Sequence, residues 1–143
     1  MQELLGSAAR TTTGAVEVAN VGNLDLVESA VVILDVTAAA TLAGDTLNLR
    51  IQSAIDDAAG AIIGWDDFIS FTQVLGNGGA KRFAAQWRRD TLPEQELHPV
   101  VVDTLAAGVM QGPVGKRWRL SWVIAGTGSF TFRVLAALIS RRV

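Results

Sequence analysis

The chain has 143 residues, half of them hydrophobic, with 12 basic and 14 acidic side chains, one His and no Cys. The absence of Cys excludes disulfides, thiolate metal sites and thiol nucleophiles, and His98 alone cannot supply a His-based zinc cage. A net charge of −2 gives no basic field for nucleic acid, and although the mean hydropathy is +0.34, no apolar run approaches the roughly 20 residues that span a bilayer. The length suits one domain, and the first ten residues lack the basic and apolar regions of an export signal.

Residues 1–14 read as an extended N-terminal arm. Leu4 and Leu5 are its apolar anchors, and Arg10-Thr-Thr-Thr-Gly14 favours extended backbone before a turn. Residues 15–143 read as a single domain. Ala15–Ala19 is a short first strand, Asn20–Asn23 a turn, and Asp25 and Glu28 frame a second turn or a bulge. Ala30-Val-Val-Ile-Leu-Asp-Val-Thr37 is apolar on both faces except at Asp35, the pattern of a central strand covered on both sides or covered on one side by another subunit. Ala38–Gly44 reads as loop, with helix an alternative on propensity. In Thr46–Ser53, Leu47, Leu49 and Ile51 turn inward, while Asn48, Arg50 and Gln52 turn toward water.

Asp56-Asp-Ala-Ala-Gly60 is a carboxylate-rich turn. Trp65–Phe71 is a strand that needs a bulge, because Phe68 and Phe71 cannot share a face at strict period two. Gly76-Asn-Gly-Gly79 reads as a hairpin connector. Lys81–Arg89 follows as a strand, or less well a helix, with Phe83, Ala85 and Trp87 on one face. Asp90–Pro99 is a long loop, Val100–Ala106 a short strand, and Gly108–Gly115 a Gly/Pro loop. The strongest β signal comes last. Arg117–Ala125 and Ser129–Ile139 alternate with period two across Gly126-Thr-Gly128, which predicts an antiparallel hairpin with Trp118, Leu120, Trp122, Phe130, Phe132 and Val134 on its buried face. About eight short strands with Gly/Pro/Asn punctuation predict an all-β, antiparallel β-sandwich with jelly-roll topology favoured.

No catalytic constellation stands out. Asp56-Asp57 and Asp66-Asp67 offer clustered oxygens for calcium, but the spacing of an EF-hand loop is absent and solvated turn formers are the commoner reading. Asp66, Asp67, Glu94 and Glu96 could be paired as glycosidase carboxylates, as in any β protein with this many acids. Gly76–Lys81 lacks the helix and Lys-Ser/Thr pair of a phosphate loop. The Trp and Arg residues of Trp87-Arg-Arg89 and Arg117-Trp-Arg119 could stack sugars or bases, yet Trp118 and Trp122 sit in the inward phase. His98 has no nucleophile motif beside it. No enzyme activity, metal or cofactor is expected. Arg117, Arg119 and Arg133 share the outward phase of the expected hairpin; their counter-charge comes either from an acidic partner molecule or from Asp35 or Asp103. Val123, Leu135, Ala137 and Ile139 make that outward face too apolar for full solvation, so it is expected to pack against another sheet or a neighbouring subunit.

The order Ser7-Ala-Ala-Arg-Thr-Thr-Thr-Gly14, Val31-Val-Ile-Leu-Asp-Val-Thr-Ala-Ala39, Leu49-Arg-Ile-Gln-Ser53, Trp65-Asp-Asp-Phe68, Phe71-Thr-Gln73, Arg117-Trp-Arg-Leu120 and Gly126-Thr-Gly-Ser-Phe-Thr-Phe132 resembles small structural proteins of tailed bacteriophages. The resemblance runs from about Ser7 to Leu138, through strand and turn patterns; where such proteins carry a Gly-Thr-Pro loop after the Val-Thr strand, this chain has Ala39–Asp45 without Pro. It implies a capsid decoration (cement) protein, made in the host cytoplasm and carried on the virion surface. Its implied partners are the major capsid protein and itself, as a homotrimer, with neither nucleic acid nor membrane. A tail or head-to-tail connector, or a glycan-binding module on the virion, are the alternatives. The interface residues expected on this reading are Leu4, Leu5, Arg10, Thr11, Thr12, Arg117, Arg119, Arg133, Leu135 and Ile139.

Overall fold

A computed structural model describes residues 1–19, 21–39, 41–89, 107–112 and 114–141. The expected strand over 100–106, the loop over 90–99, and Glu94, Glu96, His98 and Asp103 lie outside the described residues. Among the described residues there are ten strands: β1 (Gln2–Arg10), β2 (Gly14–Glu17), β3 (Val27–Ala38), β4 (Thr46–Asp56), β5 (Ile62–Ser70), β6 (Val74–Leu75), β7 (Lys81–Arg88), β8 (Gly108–Val109), β9 (Trp118–Ala125) and β10 (Phe130–Ser140). They form two antiparallel sheets, the first ordered β1-β10-β3-β7 and the second β2-β9-β4-β5-β8, with β6 also paired to β4. The expected antiparallel sandwich is what the chain builds. With the two-residue strands β6 and β8 set aside, the remaining eight in chain order run first-eighth-third-sixth in one sheet and second-seventh-fourth-fifth in the other.

Period-two alternation explains the layering. Ala30, Val32, Leu34 and Val36 of β3 and Phe130, Phe132, Val134 and Ala136 of β10 are buried from the first sheet; Leu47, Leu49 and Ile51 of β4 and Trp118, Leu120 and Trp122 of β9 meet them from the second. Aromatic side chains bridge the layers edge to face. Trp87 of β7 lies 5.5 Å from Trp118 and 5.9 Å from Phe68, and Trp122 lies 5.9 Å from Phe132. The bulge expected in Trp65–Phe71 is there: the register of β4 against β5 shifts between Ile51↔Ile69 and Gln52↔Asp67, so both Phe68 and Phe71 reach the core.

Strand pairing corrects the sequence reading at three points. β9 and β10 are not a hairpin: β9 pairs with β2 and β4, β10 with β1 and β3, and residues 126–129 arch from one sheet to the other. Their apolar faces are buried as expected, but against each other across the core rather than side by side. Alternation records only which face is apolar, and that is the same for paired strands and for strands facing across a sandwich. The Gly76–Gly79 turn, closed by Gly78 N–H donating to the Leu75 carbonyl at 3.0 Å, likewise carries the chain from β6 in the second sheet to β7 in the first. Finally, Asn48, Arg50 and Gln52 are not in water: each is buried on the outer side of β4, with Gln52 only 1% exposed.

Residues 2–10, read from sequence as an arm, form β1, an edge strand of the chain's own first sheet running from Gln2↔Ala136 to Arg10↔Phe130. Two register shifts bulge it, a common way to blunt an exposed sheet edge.

Candidate interaction surface

Among the described residues, the outer face of the first sheet carries a run of exposed and half-buried apolar side chains. On β10 the residues between the buried Val134 and Ala136 point outward, and the register aligns them with the outward residues of β3 and β7. One row is Arg133, Asp35 and Arg82; the next is Leu135, Ile33 and Ala84; then come Ala137, Val31 and Gln86, and last Ile139, Ser29 and Arg88. Leu135, Ile33 and Ala84, then Ala137 and Val31, then Ile139 make a continuous apolar stripe, with Gln86 at its β7 edge. Ile139 is 65% exposed and Val31 37%, while Leu135 and Ile33 are half-buried by their neighbours.

Charge closes the stripe at one end. Asp35 accepts from Arg133 Nε at 2.9 Å and from Arg82 Nε at 3.3 Å, with its own side chain almost wholly covered. Burial pushes the Asp35 pKa up, but hydrogen bonds from Arg133 and Arg82 outweigh it and hold the carboxyl below its ordinary value. Lys81 stands beside this triad in a shallow depression shared with Thr37 and Ala80. Past the other end, Arg141 Nε donates to Glu28 at 2.9 Å.

The outer side of the second sheet holds a buried polar network on β4 and β5. Gln52 donates to Asp67 and accepts from Arg119 Nε at 2.6 Å, and Arg50 Nε lies 4.0 Å from Asp67. The Arg119 guanidinium sits 4.6 Å from the centre of the Trp65 ring. Burial lowers the Arg119 pKa, opposed by the charge of Asp67. Arg117 is bidentate on Glu17 of β2.

The expected interface residues therefore separate into groups. Leu135, Ile139 and Arg133 share the open face. Arg117 and Arg119 lie on the other sheet, so the three arginines do not oppose one another across a hairpin, and each already has a partner within the chain: Glu17, Gln52 and Asp35 respectively. Leu4 is buried in the chain's own core and Leu5 packs against it. Arg10 folds back over Phe132 and Trp122, 4.5 and 5.3 Å from their ring centres, and donates to the carbonyls of Gly6, Ala8 and Phe132. The Thr12 carbonyl accepts from Trp122 Nε1 at 3.0 Å, while Thr11 is exposed. Ile33, Val31, Ala84 and Arg82 belong to the open face and were missed, because the expected hairpin set β10 beside β9. The two-sided apolar run of β3 carried the missing signal.

The other candidate chemistries also find their places. Trp87 has no exposed surface and Trp65 is half-buried beneath Arg119, so neither ring is an open platform for a sugar. Asp57 Oδ1 accepts from the amides of Ala59 and Ala61, both at 2.9 Å, as a turn former does. Among the described residues no group of three or more His, Cys, Asp or Glu side chains is placed to hold a metal ion, and no helix is long and apolar enough to cross a membrane. Comparison with protein-family models, curated proteins and solved structures returns no match for the chain.

Proposed function

We propose that the chain is a non-enzymatic structural protein of a tailed-phage virion, a capsid decoration protein that binds the major capsid protein lattice as a homotrimer and stabilises the head. One observation carries the reading: a chain with a complete core of its own keeps an apolar outer sheet face, bounded by an ion-paired triad, where a solitary sandwich would place polar side chains. The resemblance of its strand and turn patterns to small phage structural proteins supplies the setting. The alternation of long strands between two sheets, first-eighth-third-sixth against second-seventh-fourth-fifth, supports jelly-roll topology, a fold that serves viral capsids among other uses.

A closed shell under internal pressure gains from added bridging contacts, and a small rigid sandwich repeated over a lattice supplies them through many weak interfaces. Electron cryomicroscopy of intact particles tests the reading. Density for the chain on the outer shell, at a local three-fold axis, supports it. Density confined to the neck or tail favours the connector alternative, and absence from the particle refutes both.

A further inference from the structure

We infer that Asn77, in the turn between β6 and β7, is a site of spontaneous covalent modification, where the side-chain amide is lost to give aspartate or isoaspartate and the copy gains one negative charge. The sequence points to it first. Asn77 is the one asparagine of the chain followed by Gly; Asn20 precedes Val, and Asn23 and Asn48 precede Leu. The ring closure that removes the amide needs the next residue's backbone nitrogen to reach the side-chain carbon, and a Gly there carries no Cβ to obstruct it. The structure adds three observations. Asn77, Gly78 and Gly79 are exposed, and the flanking Gly76 and Gly78 bring no side chain over the amide. The Asn77 side chain makes no hydrogen bond to another described residue, whereas Asn23 Oδ1 accepts from the Asp25 amide at 3.0 Å and the buried Asn48 accepts from Gln73 Nε2 at 3.3 Å. Gly79 at φ +67°, with no atom within 4 Å of an added Cβ, leaves the turn room to move.

The step balances with water alone. The Gly78 nitrogen, having given its proton to hydroxide, attacks Asn77 Cγ. The new C–N bond closes a five-membered succinimide as the bond from Cγ to Nδ2 breaks, and Nδ2 takes a proton from water and leaves as ammonia. Water then opens the ring. Addition at Cγ restores the ordinary backbone with aspartate at position 77, and addition at the main-chain carbonyl carbon leaves isoaspartate, whose chain runs through Cβ and Cγ and is one atom longer. Either product takes the net charge from −2 to −3. One contact sets the pace: the Gly78 N–H donates to the Leu75 carbonyl at 3.0 Å, so its nitrogen must leave that bond before it attacks. A single turn bond between exposed residues opens without unfolding the sheets on either side. The product stands in the crossing from one sheet to the other, beside Lys81, whose Cε lies 3.6 Å from the place of a Cβ on Gly78.

The test incubates the purified full-length protein in mildly alkaline buffer made with heavy-oxygen water and reads each asparagine by peptide mass spectrometry. Asn77 should convert about tenfold or more faster than Asn23 or Asn48, with one heavy oxygen taken up per conversion, and a more acidic band should grow in isoelectric focusing. An isoaspartyl methyltransferase should label the same peptide. Because one turn bond has to open, the folded protein should convert about tenfold more slowly than the urea-unfolded chain. Asn77→Gln should keep its band, since the longer side chain disfavours the ring closure, and Asn77→Asp should run with the acidic band from the start. Circular dichroism melts establish that both variants are folded. Conversion at Asn77 no faster than at Asn23, or confined to the urea-unfolded chain, overturns the proposal. An acidic band that still grows in Asn77→Gln at the wild-type rate places the modification elsewhere and overturns it too.

Discussion

Arg133 on β10 and Asp35 on β3 stand directly opposite each other on an outer sheet face, 2.9 Å apart, and Arg82 from β7 closes on the second carboxylate oxygen at 3.3 Å. The triad ties three neighbouring strands together where the apolar stripe ends. Replacing Asp35 with Asn leaves two adjacent guanidiniums without their anion, and should cost about 1–2 kcal/mol in urea unfolding at neutral pH.

The same triad gives a pH signature. The folded-state pKa of Asp35 lies below its ordinary value because the two arginines outweigh burial. The stabilisation is therefore fully present above the unfolded value of about 4 and is lost as pH falls through and below it. The stability difference between wild type and Asp35→Asn should narrow between about pH 6 and pH 3. A difference that holds constant over that range contradicts the ion-pair assignment.

Arg10 fastens β1 to the sandwich. Its guanidinium covers Phe132 and Trp122 and satisfies three backbone carbonyls, and burial lowers its pKa. Arg10→Ala should cost about 2 kcal/mol and speed hydrogen exchange in residues 2–10. Arg10→Lys should not restore the wild type, because an ammonium cannot cover two rings and bond three carbonyls in one plane.

The arch between β9 and β10 depends on Gly126. At φ +94° it lies against Asp45, whose Oδ1 accepts from Thr127 N–H, and an added Cβ would come within 1.8 Å of that oxygen. Gly126→Ala should lower stability by roughly 2–3 kcal/mol, and Gly44→Ala, which meets no atom within 4 Å, by less than about 0.5.

Individual strands were legible in the sequence because each carries its own alternation: Leu47, Leu49 and Ile51, or Phe130, Phe132 and Val134, declare a buried face without reference to any partner. The bulge at Phe68 was legible for the same reason, as a break in period. Pairing was not, because most consecutive long strands alternate between sheets, and Gly126–Gly128 and Gly76–Gly79 look the same whether they turn a hairpin or cross a core. The burial of Arg50 and Gln52 was hidden by chemistry, since an outward polar residue reads as solvated until Asp67 and Arg119 are seen beside it. Leu135 and Ile139 were found from β10 alone, but their companions Val31, Ile33 and Ala84 required the order β10-β3-β7.

The most direct measurement is hydroxyl-radical footprinting of Leu135 and Ile139 in free protein and in protein bound to capsids. Decoration through the first sheet predicts that labelling of both falls about fivefold or more on binding, while Leu42 and Ile63, exposed elsewhere, keep their reactivity. Unchanged labelling of Ile139 in capsid-bound protein would contradict it.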